Sequence, residues 1–309
     1  MSVMRKTLLW MSTNPWMRER AMKTGFVRRS VVKFMPGERV EDAIEAAREL
    51  TPSRITTILT RLGENITHLK EADDVRDHYL RVLDLVKAAD LDAHISVKPT
   101  QLGYDQDKDL CFKHCLTLLE KCKATNNFFW LDMESSPYVE GTIALFKRLR
   151  QHSDRVGIAI QAYLYRTEKD LEDLVPLGSA IRLVKGAYLE PANVAFPKKT
   201  DVDANYFKLA ARLLQADNAR PGSLLHIATH DIDLQERLLA LIKERKVADH
   251  RYEFAMLYGI QSGRQHEFGR MGVRIRCLIS YGEYWFPWYM RRLAERPANV
   301  WFVAKNMFR

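Results

Sequence analysis

Short apolar runs rich in β-branched residues alternate with segments of helical period along most of the chain, and this alternation limits the possible folds more than any other feature. Eight runs occur, at residues 54–59, 94–98, 127–132, 156–163, 180–186, 224–229, 252–257 and 273–279. Segments with the 3.6-residue period of an amphipathic helix follow them, for example at residues 139–153. Eight strands that alternate with helices over about 250 residues are typical of a parallel (β/α)8 barrel.

A doubly wound open sheet is the alternative α/β architecture. It usually has fewer strands, and a nucleotide-binding version carries a glycine fingerprint after its first strand. Here Gly63 is the single glycine in residues 60–66, directly after the first run. The sequence therefore favours the α/β class and a TIM-type (β/α)8 barrel over residues 36–309, since no linker rich in proline, glycine or serine divides that range.

The cysteines and the hydropathy suggest where such a domain functions. The four cysteines form no CxxC pair or framework spacing, which indicates a reducing, cytoplasmic environment. No apolar run approaches the length of a membrane span. We therefore expect an intracellular protein.

The formal net charge of +9 lies mostly in residues 1–35, which hold eight basic residues and one acidic residue. Aromatic and methionine residues are interleaved with these charges, so this predicted N-terminal helical arm could lie on an anionic surface, such as the inner face of the cytoplasmic membrane, or recruit an acidic partner. A solvated helix whose aromatic residues pack on the barrel is the simpler interpretation. Nucleic-acid binding is not expected, because the positive charge is confined to this arm.

Polar residues follow most of the predicted strands at the point where each strand ends. The carboxyl ends of parallel barrel strands meet at one mouth, which is where barrel enzymes hold their active sites. We therefore expect a site there, built from Glu64, Lys98, Asp132, Glu134, Gln161, Tyr163, Arg182, Lys185, Tyr188, Thr229, His230, Asp231, Leu257 and Tyr258.

The expected site and the C-terminal segment together supply five cations, Lys98, Arg182, Lys185, Arg291 and Arg292, with Asp132, Glu64 and Glu295 as partial counterweights. A strongly cationic site of this kind suits a carboxylate or a phosphate ligand. Arg291 and Arg292 are followed by Glu295, which helical spacing places within reach of both. A surface helix end with salt bridges is the simpler interpretation of this segment alone. The aromatic residues before it, Trp288 above all, favour instead a final helix that covers a ligand at the barrel mouth.

Several motifs resemble those of the proline dehydrogenase family. In chain order they are WLDMES (130–135), VGIAIQAYLYR (156–166), IRLVKGAYLE (181–190), IATHD (227–231), EFAMLYG (253–259) and RRLAER (291–296). The resemblance runs from about residue 36 to the C terminus. It implies a distorted (β/α)8 barrel with FAD at its mouth and a final helix over the substrate. The implied reaction is oxidation of L-proline to 1-pyrroline-5-carboxylate by hydride transfer to flavin N5, in proline catabolism, with a quinone reoxidising the flavin.

The resemblance also implies roles for individual residues. For the substrate, Lys98, Arg291 and Arg292 would bind the carboxylate. The substrate ring would meet Asp132, Ala187, Tyr188, Leu257 and Trp288. The flavin would meet Asp132, Gln161, Arg182, Val184, Lys185, Gly186, Ala187, Thr229, His230, Arg292 and Glu295. The residues expected to take part in catalysis are Lys98, Asp132, Arg182, Arg291, Arg292 and Glu295.

One further acidic residue has a different implied role. Glu64 resembles the residue that pairs with the first arginine of the RRxxE motif as a gate when no substrate is bound. In the flavin site, Arg182 would lie near the redox edge, and Asp132 would orient it.

The sequence departs from the family pattern at the end of the eighth predicted strand. Family members usually carry a tyrosine and, two residues later, a proline, where this chain has Leu278 and Ser280. Trp288 also stands where a tyrosine is usual. These differences leave open whether the substrate is L-proline, hydroxyproline or another imino acid, and they leave room for a barrel that binds an imino acid without catalysis.

A metal-dependent barrel hydrolase is an alternative from another class of enzyme. It would use His226 and His230 with Asp132 and Glu134. In a strand the two histidines would face the same side but lie about 13 Å apart at 3.3 Å per residue, too far to share a metal unless the chain turns. We therefore expect no metal site.

Overall fold

A computed structural model describes residue 31, residues 33–63, residue 66, residues 68–286 and residues 288–290. Eight parallel strands close into a barrel in sequence order, and the last strand pairs with the first. This confirms the predicted fold class. The strands are β1 Ile55–Arg61, β2 Ala93–Val97, β3 Phe129–Leu131, β4 Val156–Gln161, β5 Ala180–Val184, β6 Leu224–Ala228, β7 Tyr252–Leu257 and β8 Ile275–Tyr281.

Helices connect the strands and form an outer layer, as the periodic segments predict. Among the helices whose bounds the structure describes, α1 precedes the barrel and another follows each of the first seven strands. Their bounds are α1 Val40–Leu50, α2 Leu69–Ala88, α3 Lys108–Ala124, α4 Val139–Arg150, α5 Thr167–Leu174, α6 Lys199–Leu213, α7 Ile232–Glu244 and α8 Ser262–Met271.

Each strand divides its side chains between two surroundings. On β5, Ile181 and Leu183 face outward into the large apolar cluster between the strands and the helices. Ala180 faces the barrel interior, where it belongs to a smaller apolar cluster with Ile58 and Trp130. The strands are buried on both faces, which is why the sequence shows them as continuous apolar runs.

Ionic groups fill the interior near the amino ends of the strands. Arg276 on β8 donates from Nε to Glu253 Oε2 on β7 at 2.7 Å, and from Nη1 to Asp92 Oδ1 at 2.8 Å and to the Thr57 carbonyl at 3.0 Å. His226 Nε2 on β6 lies 2.9 Å from Glu253 Oε2. These contacts connect β1, β6, β7 and β8 through the interior of the barrel.

The aromatic segment before residue 291 is buried against the start of the barrel domain. Trp285 donates from Nε1 to Glu38 Oε1 at 3.1 Å. Trp288 and Tyr289 are also buried, and the Tyr289 ring lies 6.3 Å from that of Phe34. The predicted N-terminal arm lies mostly outside the described residues, and the expected covering helix lies outside them from residue 291 onward. No helix in the described ranges is long and apolar enough to span a membrane.

Candidate active site

A cavity of about 520 Å³ lies at the carboxyl ends of the strands. Its volume is in the range of small-molecule sites, roughly 300–1,000 Å³. Residues predicted from the sequence supply much of its lining: Asp132, Gln161, Arg182, Val184, Lys185, Gly186, Ala187, Tyr188, Thr229, His230, Asp231, Leu257 and Leu278. The structure therefore brings together predicted residues from β3 to β8 or from the loops that follow these strands.

Arg182 occupies the floor of this cavity and is almost fully buried. Its Nη2 donates to Ser96 Oγ at 2.9 Å and pairs with the Asp132 carboxylate, while Ser96 Oγ donates to Asp132 Oδ1 at 2.9 Å. Burial lowers the pKa of Arg182, and Asp132 opposes that shift. Nη1 is buried and has no hydrogen-bond partner in the part of the chain that the structure describes. This donor is available to a ligand.

Gln161 offers a second such atom at the end of β4. Its Nε2 donates to the Glu134 carbonyl at 3.2 Å, which fixes the amide plane. Its Oε1 is buried without a hydrogen-bond partner among the described residues. A buried polar atom without a partner is costly, so Gln161 Oε1 and Arg182 Nη1 together indicate a polar ligand in the cavity.

A group of two lysines and two aspartates forms one side of the cavity. Lys185 pairs with Asp203, and its Nζ lies 2.7 Å from Asp231 Oδ2; Lys199 pairs with the same two aspartates. Burial would raise the pKa of Asp231, but Lys185 and Lys199 outweigh it and lower that pKa to about 2. The charge balance drawn from the sequence did not count Asp203 and Asp231 as counterweights to the cations. The positive excess in the described lining is therefore smaller than predicted.

His230 connects the ends of two neighbouring strands. The Leu257 N–H donates to His230 Nε2 at 3.2 Å, so the proton of the neutral ring lies on Nδ1. Thr229, the residue before it, receives a bond from Gln235 Nε2 to its carbonyl at 2.7 Å. These bonds hold the β6 and β7 termini in register at the cavity wall.

Gly186 allows the chain to leave β5 beside this wall. Its φ is +115°, and a Cβ at this position would lie 2.2 Å from Cδ1 of the Tyr163 ring. Both the backbone conformation and the close approach require glycine. The predicted Gly186 is therefore needed to shape the cavity.

The remaining side of the cavity is apolar. Its residues come from β8, β1 and β7: Leu278, Ile58, Ala255, Met256 and Leu257. Ser280 is buried beyond Leu278 on the same strand. The chain thus presents an aliphatic wall on this side of the cavity.

Nine predicted residues are not among those that line the cavity, and three of them, Glu134, Tyr163 and Tyr258, come from the strand-end rule alone. The other six have roles implied by the family resemblance. Lys98 is half-buried and directly follows β2, next to Asp132, whose N–H donates to the Val97 carbonyl at 2.9 Å. Trp288 is buried in the C-terminal segment. The remaining four, Glu64, Arg291, Arg292 and Glu295, lie outside the described residues.

The lining also includes residues that were not assigned to the site from the sequence: Ile58, Met133, Ala159, Lys199, Ala228, Ala255 and Met256. Lys199 begins α6, after a long loop, and only its spacing from Asp203 links it to the ionic group. The small residues lie inside strands, where the sequence gives no sign of which face meets a cavity.

The described residues contain no group of three or more His, Cys, Asp and Glu that could hold a metal ion. Each of the four residues considered as metal ligands contacts another protein group, and no two of them share one among the described residues. These pairs are Asp132 with Arg182, Glu134 with Thr100, His226 with Glu253 and His230 with Leu257.

The fold and the cavity define a (β/α)8-barrel protein with a polar small-molecule site at the carboxyl ends of its strands. A profile of the proline dehydrogenase family matches residues 43–305. The chain therefore belongs to the proline dehydrogenase family, whose members are flavin-dependent oxidoreductases of proline catabolism, and this confirms the resemblance seen in the sequence.

Individual relatives agree with this assignment. Proline dehydrogenase 2 of Bacillus subtilis subsp. natto is 34% identical over 307 residues, which cover 99% of each chain. The proline dehydrogenase of Deinococcus radiodurans is 34% identical over 282 residues, or 90% of this chain and 89% of that protein.

A solved structure shows the same fold. Proline utilization A from Bdellovibrio bacteriovorus, inactivated by N-propargylglycine, superposes with a TM-score of 0.81 at 22% identity. The match covers 94% of this chain and 38% of that longer one. At this identity the likeness concerns the fold alone.

Proposed function

We propose that this protein oxidises L-proline to 1-pyrroline-5-carboxylate with FAD bound in the cavity. The proposal rests chiefly on the surroundings of Arg182. Arg182 is a buried cation held by Asp132 and Ser96, and it keeps an N–H without a described partner in a cavity of about 520 Å³. Such an N–H can hydrogen-bond a cofactor without any reorganisation.

The residues present fit a flavin. Its ring system offers hydrogen-bond donors and acceptors along one edge, which match Arg182 Nη1 and Gln161 Oε1. Val184, Gly186 and Ala187 supply uncharged, closely approachable backbone beside these groups. Lys185, Thr229 and His230 provide the polar contacts for the rest of the cofactor. When bound, FAD supplies the two-electron chemistry, accepting a hydride at N5 from the substrate carbon next to nitrogen, and a quinone reoxidises it.

The chain's own residues position the substrate. Lys98, Arg291 and Arg292 bind the proline carboxylate, with Glu295 beside the two arginines and Glu64 pairing with Arg291 when substrate is absent. Tyr188, Leu257, Leu278 and Trp288 enclose the apolar ring and exclude water. Binding of this kind fixes the reacting carbon and contributes several kcal/mol to lowering the barrier, roughly 7–11 kcal/mol at most.

The electron acceptor and the site of action in the cell belong to the same proposal. A membrane quinone as acceptor requires contact with the bilayer. The basic residues within 1–35, interleaved with aromatic residues, suit peripheral binding to an anionic surface. The protein then acts in the cytoplasm, at the inner face of the membrane.

The test is a turnover assay on the purified protein with FAD, L-proline and a soluble quinone, in which 1-pyrroline-5-carboxylate is trapped and quantified. Lys185→Met should weaken FAD binding by about tenfold. Lys208→Met is the matched control, because Lys208 is exposed and pairs with Glu168. If the wild type forms no product, or if both variants lower FAD affinity equally, the proposal is wrong.

A second candidate substrate is hydroxyproline or another imino acid. Leu278 lines the cavity, so the aliphatic side chain is placed where it can contact a substrate ring. An aliphatic wall leaves more room than a tyrosine. Comparing kcat/KM for L-proline and trans-4-hydroxy-L-proline decides between them.

A further inference from the structure

The indole of Trp130 lies at the centre of the barrel, directly beneath the arginine of the cavity. Trp130 is fully buried, and the Arg182 Cζ lies over its ring, 5.2 Å from the centroid. An aromatic face attracts a cation electrostatically, and arginine stacks on such faces more readily than lysine. Trp130 therefore supports Arg182 from below while Asp132 and Ser96 hold its edge.

The indole cannot easily move, because three residues confine it. Its Nε1–H donates to His94 Nδ1 at 3.1 Å. The His226 ring lies 4.2 Å from the indole, centroid to centroid, with a tilt of 39°. A Cβ at position 157 would lie 2.4 Å from Cζ3, so Gly157 leaves the space that the indole fills.

Both confining histidines lie beside the ionic group at the amino ends of the strands, and His94 Nε2 is 3.8 Å from Asp92 Oδ1. His226 Nε2 lies 2.9 Å from Glu253, which Arg276 holds at 2.7 Å. Burial keeps the pKa of His94 well below its usual value, with Arg276 acting in the same direction, so His94 stays neutral and its Nδ1 can accept from the indole. A continuous column of contacts thus runs from Arg276 to Arg182.

We propose that Trp130 is a positioning residue that holds the Arg182 guanidinium at the height and angle at which its Nη1 faces the bound flavin. The expected effect on the flavin rests on the proposed function. The contact between Trp130 and Arg182 is observed independently of it. A cation held close to a flavin favours its reduction, because reduction adds negative charge. Loss of the indole lets the guanidinium settle into the vacated space.

The test compares two substitutions. Trp130→Met fills much of the volume with an adaptable side chain but removes the aromatic face. Trp130→Phe keeps an aromatic face but removes the bond to His94 and part of the indole's volume. Phe146→Leu is the control, since Phe146 is equally buried but lies on α4 in the outer layer.

In the FAD-bound proteins, Trp130→Met should lower kcat about tenfold with a smaller change in KM, because a displaced positioning group costs more in the transition state than in binding. Its flavin should also be harder to reduce than that of the wild type. Trp130→Phe should remain within about threefold of the wild-type kcat. Phe146→Leu should lower Tm and leave the flavin potential unchanged.

Crystal structures of the same variants, determined without flavin, examine the contact itself. Arg182 should lose its bond to Ser96 in Trp130→Met and keep it in Trp130→Phe. If Arg182 keeps its position in both, or if both change the flavin potential equally, Trp130 has no positioning role. A wild type that binds no FAD would overturn the proposed function instead, and the structures would still decide the inference.

Discussion

Two arginines buried in the same barrel have opposite surroundings. Arg276, near the amino ends of the strands, pairs with Glu253 and Asp92 and also donates to a backbone carbonyl. Burial alone would lower its pKa, but the two carboxylates outweigh burial and raise it. Arg182, at the cavity, has Asp132 as its carboxylate partner, and burial lowers its pKa. Its Nη1 has no partner within the described ranges.

This difference separates a structural charge from one that is ready for a ligand. A buried charge is tolerated when it is paired and its hydrogen bonds are made, and Arg276 meets that condition within the fold. Arg182 meets it only in part. The missing bond is a cost that a ligand can remove, so the cavity end of the barrel is built for binding and the opposite end for stability.

The largest effect on folding is expected for Arg276→Met. This change leaves Glu253 buried without its closest cation. The free energy of unfolding should therefore fall by about 3–5 kcal/mol. Urea denaturation of the FAD-free protein measures it. A loss below about 1 kcal/mol would contradict the structural role of Arg276.

The largest effect on catalysis is expected for Arg182→Met. Removing a donor that faces developing charge typically lowers kcat by about 100-fold or more, roughly 3 kcal/mol. The free energy of unfolding should change less than in Arg276→Met, since the lost arginine carried an unmet hydrogen bond. Steady-state kinetics and urea denaturation of Arg182→Met and Arg276→Met check this. If both variants lose similar amounts of kcat and of unfolding free energy, the cavity end and the amino end of the barrel do not differ in role.

A pH effect on stability is expected from His226. Burial lowers its pKa to about 4, although Glu253 opposes that shift, whereas the unfolded chain has the ordinary value of about 6.5. Between these values the unfolded state binds more protons, so stability falls as the pH falls from about 6.5 to about 4. The loss from pH 7 to pH 5 is about 2 kcal/mol.

His226→Gln isolates this contribution, because glutamine is polar but does not titrate. The difference in unfolding free energy between pH 7 and pH 5 should be smaller in the variant than in the wild type. Equal pH dependence would mean that His226 is not kept neutral by the fold.

The smallest effect is expected at the aliphatic wall. Leu278→Tyr narrows the cavity beside Leu257, so the kcat/KM ratio of L-proline to trans-4-hydroxy-L-proline should rise about tenfold. Leu278→Met is the size-matched control and should leave the ratio within about threefold. A ratio that tyrosine does not change would remove Leu278 from the substrate wall.

The sequence predicted the barrel because its signal is local and repeated: each strand is a short apolar run, and each helix has its own period. It also predicted that Asp132 and Arg182 belong to one site, since both follow the strand-end rule. It could not predict the pairing of Arg276 with Asp92 or the support of Arg182 by Trp130. Those contacts join residues far apart in the chain, and they depend on which face of each strand turns inward.

An anaerobic titration of the FAD-bound protein tests the central claim most directly. L-proline, trans-4-hydroxy-L-proline and D-proline are added separately while the visible flavin band is recorded. The account predicts that L-proline bleaches the band and D-proline does not. Bleaching by hydroxyproline alone would keep the flavin site and change the substrate. A colourless protein that takes up no added FAD, or a flavin that no imino acid reduces, would contradict the account.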